Sequence, residues 1–201
     1  IIIEQNMKNR FPEIEFRVNK EAELEVALFF LKKSSFDKFI KDYPELKKAK
    51  ELSEEEAKKF FNGKINEYYL TKEIELIEKK KTIEENWNKI KDKFFVEAEK
   101  IFDHKWPKGE YIANISLFGM YRLTPGTKVF SIPSIDYAGN PPAYGHINYT
   151  IIHELLHIMF EDFYKNNFKN ELNKEQYYEL LEIVNDIVLN LPIMKEITKW
   201  Q

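Results

Sequence analysis

The stretch Asn148-Tyr149-Thr150-Ile151-Ile152-His153-Glu154-Leu155-Leu156-His157-Ile158-Met159-Phe160 decides how this chain is read. Ile151, Ile152, Leu155 and Met159 recur at helical spacing, which predicts an amphipathic helix over about Ile147 to Phe163, starting near Asn148 because Gly145 and two prolines precede it. On such a helix His153 and His157 stand one turn apart and point the same way, with Glu154 beside them, on the face opposite the core contact. Two imidazoles so placed can share one metal ion, and the neighbouring carboxylate can move a proton. Zinc-dependent hydrolysis needs this arrangement: an acidic third ligand completes the protein's share and a water takes the open fourth position. With 4 histidines in the chain, shuffling would produce the pattern on the order of once in a hundred sequences, so the helical context adds weight that the bare match lacks.

The third ligand has to come from further along the chain, because Phe160 and Phe163 occupy the places where an extended version of the motif would put a glycine and a third histidine. A second amphipathic helix is predicted over Lys174 to Leu191, with Leu180, Leu181, Val184, Ile187, Val188 and Leu191 as its apolar stripe. Glu175, Glu179, Glu182 and Asp186 lie opposite that stripe. Any of the three glutamates can reach a metal from there, and a solvated acidic face is the plain alternative.

His153-Glu154-x-x-His157 followed on the next helix by Glu182-x-x-x-Asp186 resembles the gluzincin zinc metallopeptidases of the thermolysin type. The resemblance covers about residues 110–191 and is similar in extent to the compact minigluzincins. It implies an α+β, zincin-like fold, mostly helical with a small antiparallel sheet. It also implies Zn2+ held by His153, His157 and Glu182, with Asp186 supporting a ligating histidine and fixing its tautomer. Glu154 would then be the general base and later the proton donor of peptide-bond hydrolysis. Larger relatives draw an oxyanion-stabilising Tyr or His from a C-terminal subdomain, whereas little chain follows Leu191, so the candidates here are His146, Tyr144, Tyr149, Tyr177 and Tyr178. The family also implies an edge strand that pairs with extended substrate, and Val129 to Ile135 is placed for it.

Upstream, Ile14 to Val18 alternates as a short strand ending at Asn19, and a helix is expected from about Glu21 to Lys41, closed by Pro44. Ser53 with three glutamates after it predicts the start of a short helix that stops near Gly63. Residues 64–104 keep Ile83, Trp87, Ile90, Phe94 and Ile101 on one face, which predicts a single long amphipathic helix. The texture changes at Trp106 to Gly109, dividing the chain into a helical region, 1–107, packed on or shielding a catalytic part, 108–201. In the latter, Tyr111 to Phe118 and Val129 to Ile132 are expected to form a hairpin around a type II turn at Thr124-Pro125-Gly126-Thr127, and Asp136 to Gly145 a loop.

Composition excludes several classes. A formal charge of -3, from 31 basic and 34 acidic residues, offers no field for a nucleic acid. The longest apolar run, Val26 to Leu31, is far short of the roughly 20 residues that span a bilayer. Without cysteine there are no disulfides or thiolate ligands, which leaves the compartment open. A soluble chain is expected, cytoplasmic by a small margin over secreted, since it begins at Ile1 and a leader removed by processing would not be visible. The expected partner is a peptide or protein substrate, and the oligomeric state is not readable. Two rival readings are a zinc-binding regulatory protein that works through its charged helix and a latent peptidase blocked by its own N-terminal region.

Overall fold

A computed structural model describes residues 10–40, 43–134, 144–168 and 171–198. Strand β1 (Ile14–Arg17) is followed by helices α1 (Lys20–Leu31) and α2 (Phe36–Phe39), a 3-10 segment (Pro44–Glu51), and helices α3 (Glu54–Asn88) and α4 (Lys91–Phe102). Then come β2 (Tyr111–Ser116), β3 (Arg122–Leu123), β4 (Val129–Pro133), α5 (Tyr144–Asn167), α6 (Lys174–Leu189) and α7 (Pro192–Thr198). The fold is α+β and mostly helical, around one four-stranded sheet ordered β1-β2-β4-β3. Most of the loop expected from Asp136 to Gly145 lies outside the described residues.

Side chains at the helix starts explain where the N-terminal elements begin. The Asn19 side chain accepts from the N–H groups of Glu21 and Ala22 and so opens α1. Ser53 and Glu56 form a reciprocal capping box that opens α3. That helix does not stop at Gly63, as expected, but runs through it. A side chain there would meet nothing within 4 Å, so the glycine lies on an open flank. Its propensity cost of about 1 kcal/mol is outweighed by burial of Ala57, Phe61, Ile65 and Tyr69.

The single long helix expected to reach residue 104 is instead interrupted at Ile90, whose φ of -120° and ψ of -20° leave the helical well. The cause is aromatic packing. Trp87 touches Phe94 and Phe95, each with ring centroids 5.8 Å away, and Trp106 closes the cluster at 4.9 Å from Phe95. On an unbroken helix, residues 87 and 94 would be separated by about 10 Å along the axis, too far for that contact.

The sheet departs from the expected hairpin. β1 and β4 both run parallel to β2, and only β3 is antiparallel to its neighbour β4, so the sheet is mixed rather than antiparallel. The turn around Thr124 to Thr127, with Gly126 at φ 73° and the Thr127 N–H donating to the Thr124 carbonyl, joins β3 to β4. An additional reversal at Leu117 to Met120, with Gly119 at φ 68°, separates β2 from β3. Turns usually carry polar residues because they face water, but Leu117, Phe118 and Met120 are buried. Their peptide groups need an internal partner, and α1 supplies it. The buried Glu23 carboxylate accepts from the Leu117 N–H and the Ser116 hydroxyl, each at 2.9 Å.

Burial pushes the Glu23 carboxyl up to about 7, against the pull of those donors. Its folded value therefore exceeds its unfolded one, so the folded state binds more protons between roughly pH 4.5 and 7 and loses stability as pH rises through that window. Urea titrations at pH 5 and pH 8 should show a larger fall for the wild type than for Glu23→Gln, which can still accept from Leu117. Parallel pH curves for the two would contradict this role. Glu23→Ala strands the Leu117 N–H and should cost about 1–3 kcal/mol. Gly63→Ala should raise stability by about 0.5–1 kcal/mol, read as a higher urea midpoint; a lower one would mean the flank is not free.

Candidate metal centre

Helix α5 packs against α3, α4, α6, α7, β3 and β4. Ile151, Ile152, Leu155, Leu156, Ile158 and Met159 are all buried, so apolar contact surrounds it on nearly every side. It begins at Tyr144, about a turn earlier than expected, because Gly145 falls in the first turn, where backbone N–H groups lack helical partners in any case. The motif face is not a solvent face, as the expected core contact suggested. It is covered by α6 and β3, leaving the His153 and His157 side chains 18% and 7% exposed.

The rotation of α6 decides which acid meets the histidines. Its buried line runs through Leu181, Asn185 and Val188, while Ile187, expected in the stripe, is exposed. Glu182 therefore sits at the margin of the packed face rather than opposite it. Its side chain is 59% exposed, yet its two carboxylate oxygens reach within 3.8 Å of His153 Nε2 and 3.6 Å of His157 Nε2. The two Nε2 atoms are 2.9 Å apart. Among the described residues these three form the one group able to hold a metal ion. Glu175 and Glu179, the other expected candidates, are exposed on α6 and outside that group.

The donor set fits such an ion. Tetrahedral zinc at about 2.0–2.2 Å from its ligands requires donor atoms roughly 3.3 Å apart; the two Nε2 atoms are 2.9 Å apart, Glu182 Oε2 is 3.8 Å from His153 and its Oε1 3.6 Å from His157, and one donor atom from each of the three lies within 4.8 Å of the other two. Two nitrogens and one carboxylate oxygen favour a first-row transition ion over calcium or magnesium, which prefer oxygen alone. Burial pushes both imidazoles well below their usual range, His153 to about 4 and His157 to about 3. Both rings are thus neutral near pH 7 with lone pairs free to coordinate.

Asn185, which sequence reasoning passed over, ties the two helices together. Its Nδ2 donates to the His153 carbonyl at 2.9 Å and lies 3.2 and 3.3 Å from the two ring nitrogens of His157. Near-equal distances to both nitrogens place the amide over the ring face, where it limits how the imidazole can tilt. A buried polar residue in line with Leu181 and Val188 was the available signal. Asp186 lies near enough to His153 to favour its charged form, but no hydrogen bond joins its carboxylate to either ring among the described residues.

Glu154 is buried beside the histidines. Burial, with Glu182 adding like charge, pushes its carboxyl up to about 8, opposed by a hydrogen bond from the Leu123 N–H. Leu123 belongs to β3, and β3 is the sheet edge at this site. β4, expected to be that edge, is paired on both sides. A cleft of about 750 Å³ opens there, lined among others by Phe29, Arg122, His153, Glu154, Tyr177 and Glu182. Of the expected oxyanion stabilisers, Tyr177 and Tyr178 line the cleft and His146 does not. The Tyr177 hydroxyl is buried without a hydrogen-bond partner. Tyr149 stacks near His153, at 6.4 Å between ring centroids, and the Tyr144 side chain lies outside the described residues.

No protein-family model, no curated protein and no solved structure matches the chain.

Chelator competition on purified protein should rank the ligand set. Asn185→Ala is expected to weaken zinc binding by about 10- to 100-fold, Glu182→Ala by more, and Glu179→Ala not at all. Wild-type affinity in Glu182→Ala would remove that residue from the site.

Proposed function

We propose that the chain is a zinc-dependent metallopeptidase of gluzincin-like design, with His153, His157 and Glu182 as the metal ligands. The observation that carries this reading is the buried Glu154 carboxyl beside a converging pair of imidazoles and a carboxylate, at the wall of a cleft of about 750 Å³. A site that only stabilised the fold would have no use for a buried acid next to the metal position. When bound, a zinc ion supplies Lewis acidity, lowering the pKa of water to about 7 and polarising a carbonyl oxygen.

The chain's own groups do the rest. Glu154 would be ionised more readily once His153, His157 and Glu182 held a divalent cation, whose charge would offset the repulsion from Glu182. Its carboxylate then takes the proton of the attacking water and passes it to the amine nitrogen as the C–N bond breaks. The Leu123 N–H beside that carboxylate favours its ionised form. Of the two expected tyrosines that line the cleft, Tyr178 is exposed whereas the Tyr177 hydroxyl is buried, so Tyr178 is the better placed to donate to the oxyanion. Phe29, Phe30 and Lys33 form part of the same wall, which supports an N-terminal region that completes the cleft over one that blocks it.

A second reading, a zinc-stabilised interaction module, draws on Leu70, Ile74 and Ile77, which are exposed at helical spacing on α3. Glu154→Gln separates the two. In a peptidase it retains one equivalent of zinc and loses peptide hydrolysis by about 10²- to 10⁴-fold. If the protein takes up no zinc, or if hydrolysis survives the substitution, the peptidase reading fails.

A further inference from the structure

The chain is acidic overall, with a formal charge of -3, yet the cleft over the metal site is lined by the cations Lys33, Arg122 and Lys174. None of the three has a carboxylate within ion-pair distance among the described residues. Three acids share the wall: Glu161 is paired with Lys165, Glu182 faces the imidazoles, and Glu154 is buried beside them. The cations rest on aromatic rings. The Arg122 guanidinium lies 3.6 Å from the Phe29 ring centroid, Lys33 Nζ is 5.0 Å from the same ring, and Lys174 Nζ is 6.0 Å from that of Tyr178.

A ring face attracts a cation but accepts none of its in-plane N–H bonds, so the fork that matches a carboxylate stays available. Lys174 stands at the first position of α6, where the helix dipole disfavours a positive charge, so local stability does not account for it. Arg122 lies in the two-residue strand β3 and lines the same cleft as His153, Glu154 and Glu182, which places it beside the reacting position.

We propose that this cleft selects peptides by a carboxylate, which Arg122 binds bidentately while Lys33 and Lys174 supply the attracting field. The inference rests on the peptidase reading of the same site and names its substrate class. The carboxylate can be an acidic side chain near the scissile bond or the peptide's free C-terminus. The same three cations disfavour basic peptides.

The test uses the full-length, zinc-loaded Glu154→Gln protein, which binds without consuming the ligand, and four labelled peptides read by fluorescence anisotropy. One has an internal acidic residue and blocked ends, one a neutral sequence and a free C-terminus, one a neutral sequence with both ends blocked, and one a basic sequence with both ends blocked. At least one carboxylate peptide should bind about tenfold or more tightly than the blocked neutral one. The preference should weaken in 0.5 M salt and disappear in Arg122→Met, which keeps the packing on Phe29; an unchanged melting temperature verifies its fold. Whichever carboxylate peptide is preferred identifies the source. Equal binding of all four, or a preference that survives Arg122→Met, overturns the inference. Wild-type hydrolysis of all four peptides is measured in parallel. Hydrolysis without carboxylate preference overturns this inference alone, whereas carboxylate preference without hydrolysis overturns the peptidase reading alone.

Discussion

A helix buried on nearly every side cannot carry His153, Glu154 and His157 inward unless something answers each polar group, since an unpartnered one costs more than its packing returns. The rest of the structure is arranged around that demand. β3 presents the Leu123 N–H to Glu154, and α6 presents Asn185 and Glu182 to the two imidazoles. One helix thus holds a sheet edge and a second helix at fixed distances from itself. The cleft is the gap left where those partners cannot close over one another.

Support extends a further step outward. β3 can stand beside α5 only because the chain reverses after β2 inside the core, and that reversal is possible only because Glu23 of α1 accepts the Leu117 N–H from 94 positions away. The N-terminal helices and the metal helix are therefore mechanically linked through a buried carboxylate, a turn and a two-residue strand. α1 acts on the site twice, since it also contributes Phe29 to the cleft wall and to the seat of Arg122.

Those features that local pattern encodes could be read in advance. The apolar spacing of α5, the cap at Ser53 and the alternation of β1 all follow from neighbours within a turn or two. Residue pattern alone left Glu182 level with Glu175 and Glu179, and only the resemblance singled it out; its physical basis is the rotation of α6, which rests on Asn185 occupying a core position that hydropathy alone assigns to Ile187. The reversal at Leu117 to Met120 was invisible because a buried turn is apolar and reads as continued strand. The break at Ile90 was hidden for a related reason: helix periodicity persists across it, and only the three-dimensional meeting of Trp87, Phe94 and Trp106 interrupts it. Arg122 gave no signal at all, being one charged residue in a short strand whose neighbours are set by tertiary contacts.

Parallel pairing of β1 with β2 joins Ile14 to Tyr111, with all of α1 to α4 between them in the chain. Such a sheet has high contact order and must form late, after the helices have brought its ends together. During synthesis β1 emerges long before its partner and spends that interval as a bare edge open to pairing with other chains. Glu15 and Arg17, paired with each other beside the apolar Ile14 and Phe16, place charge on that waiting edge, where it opposes intermolecular association.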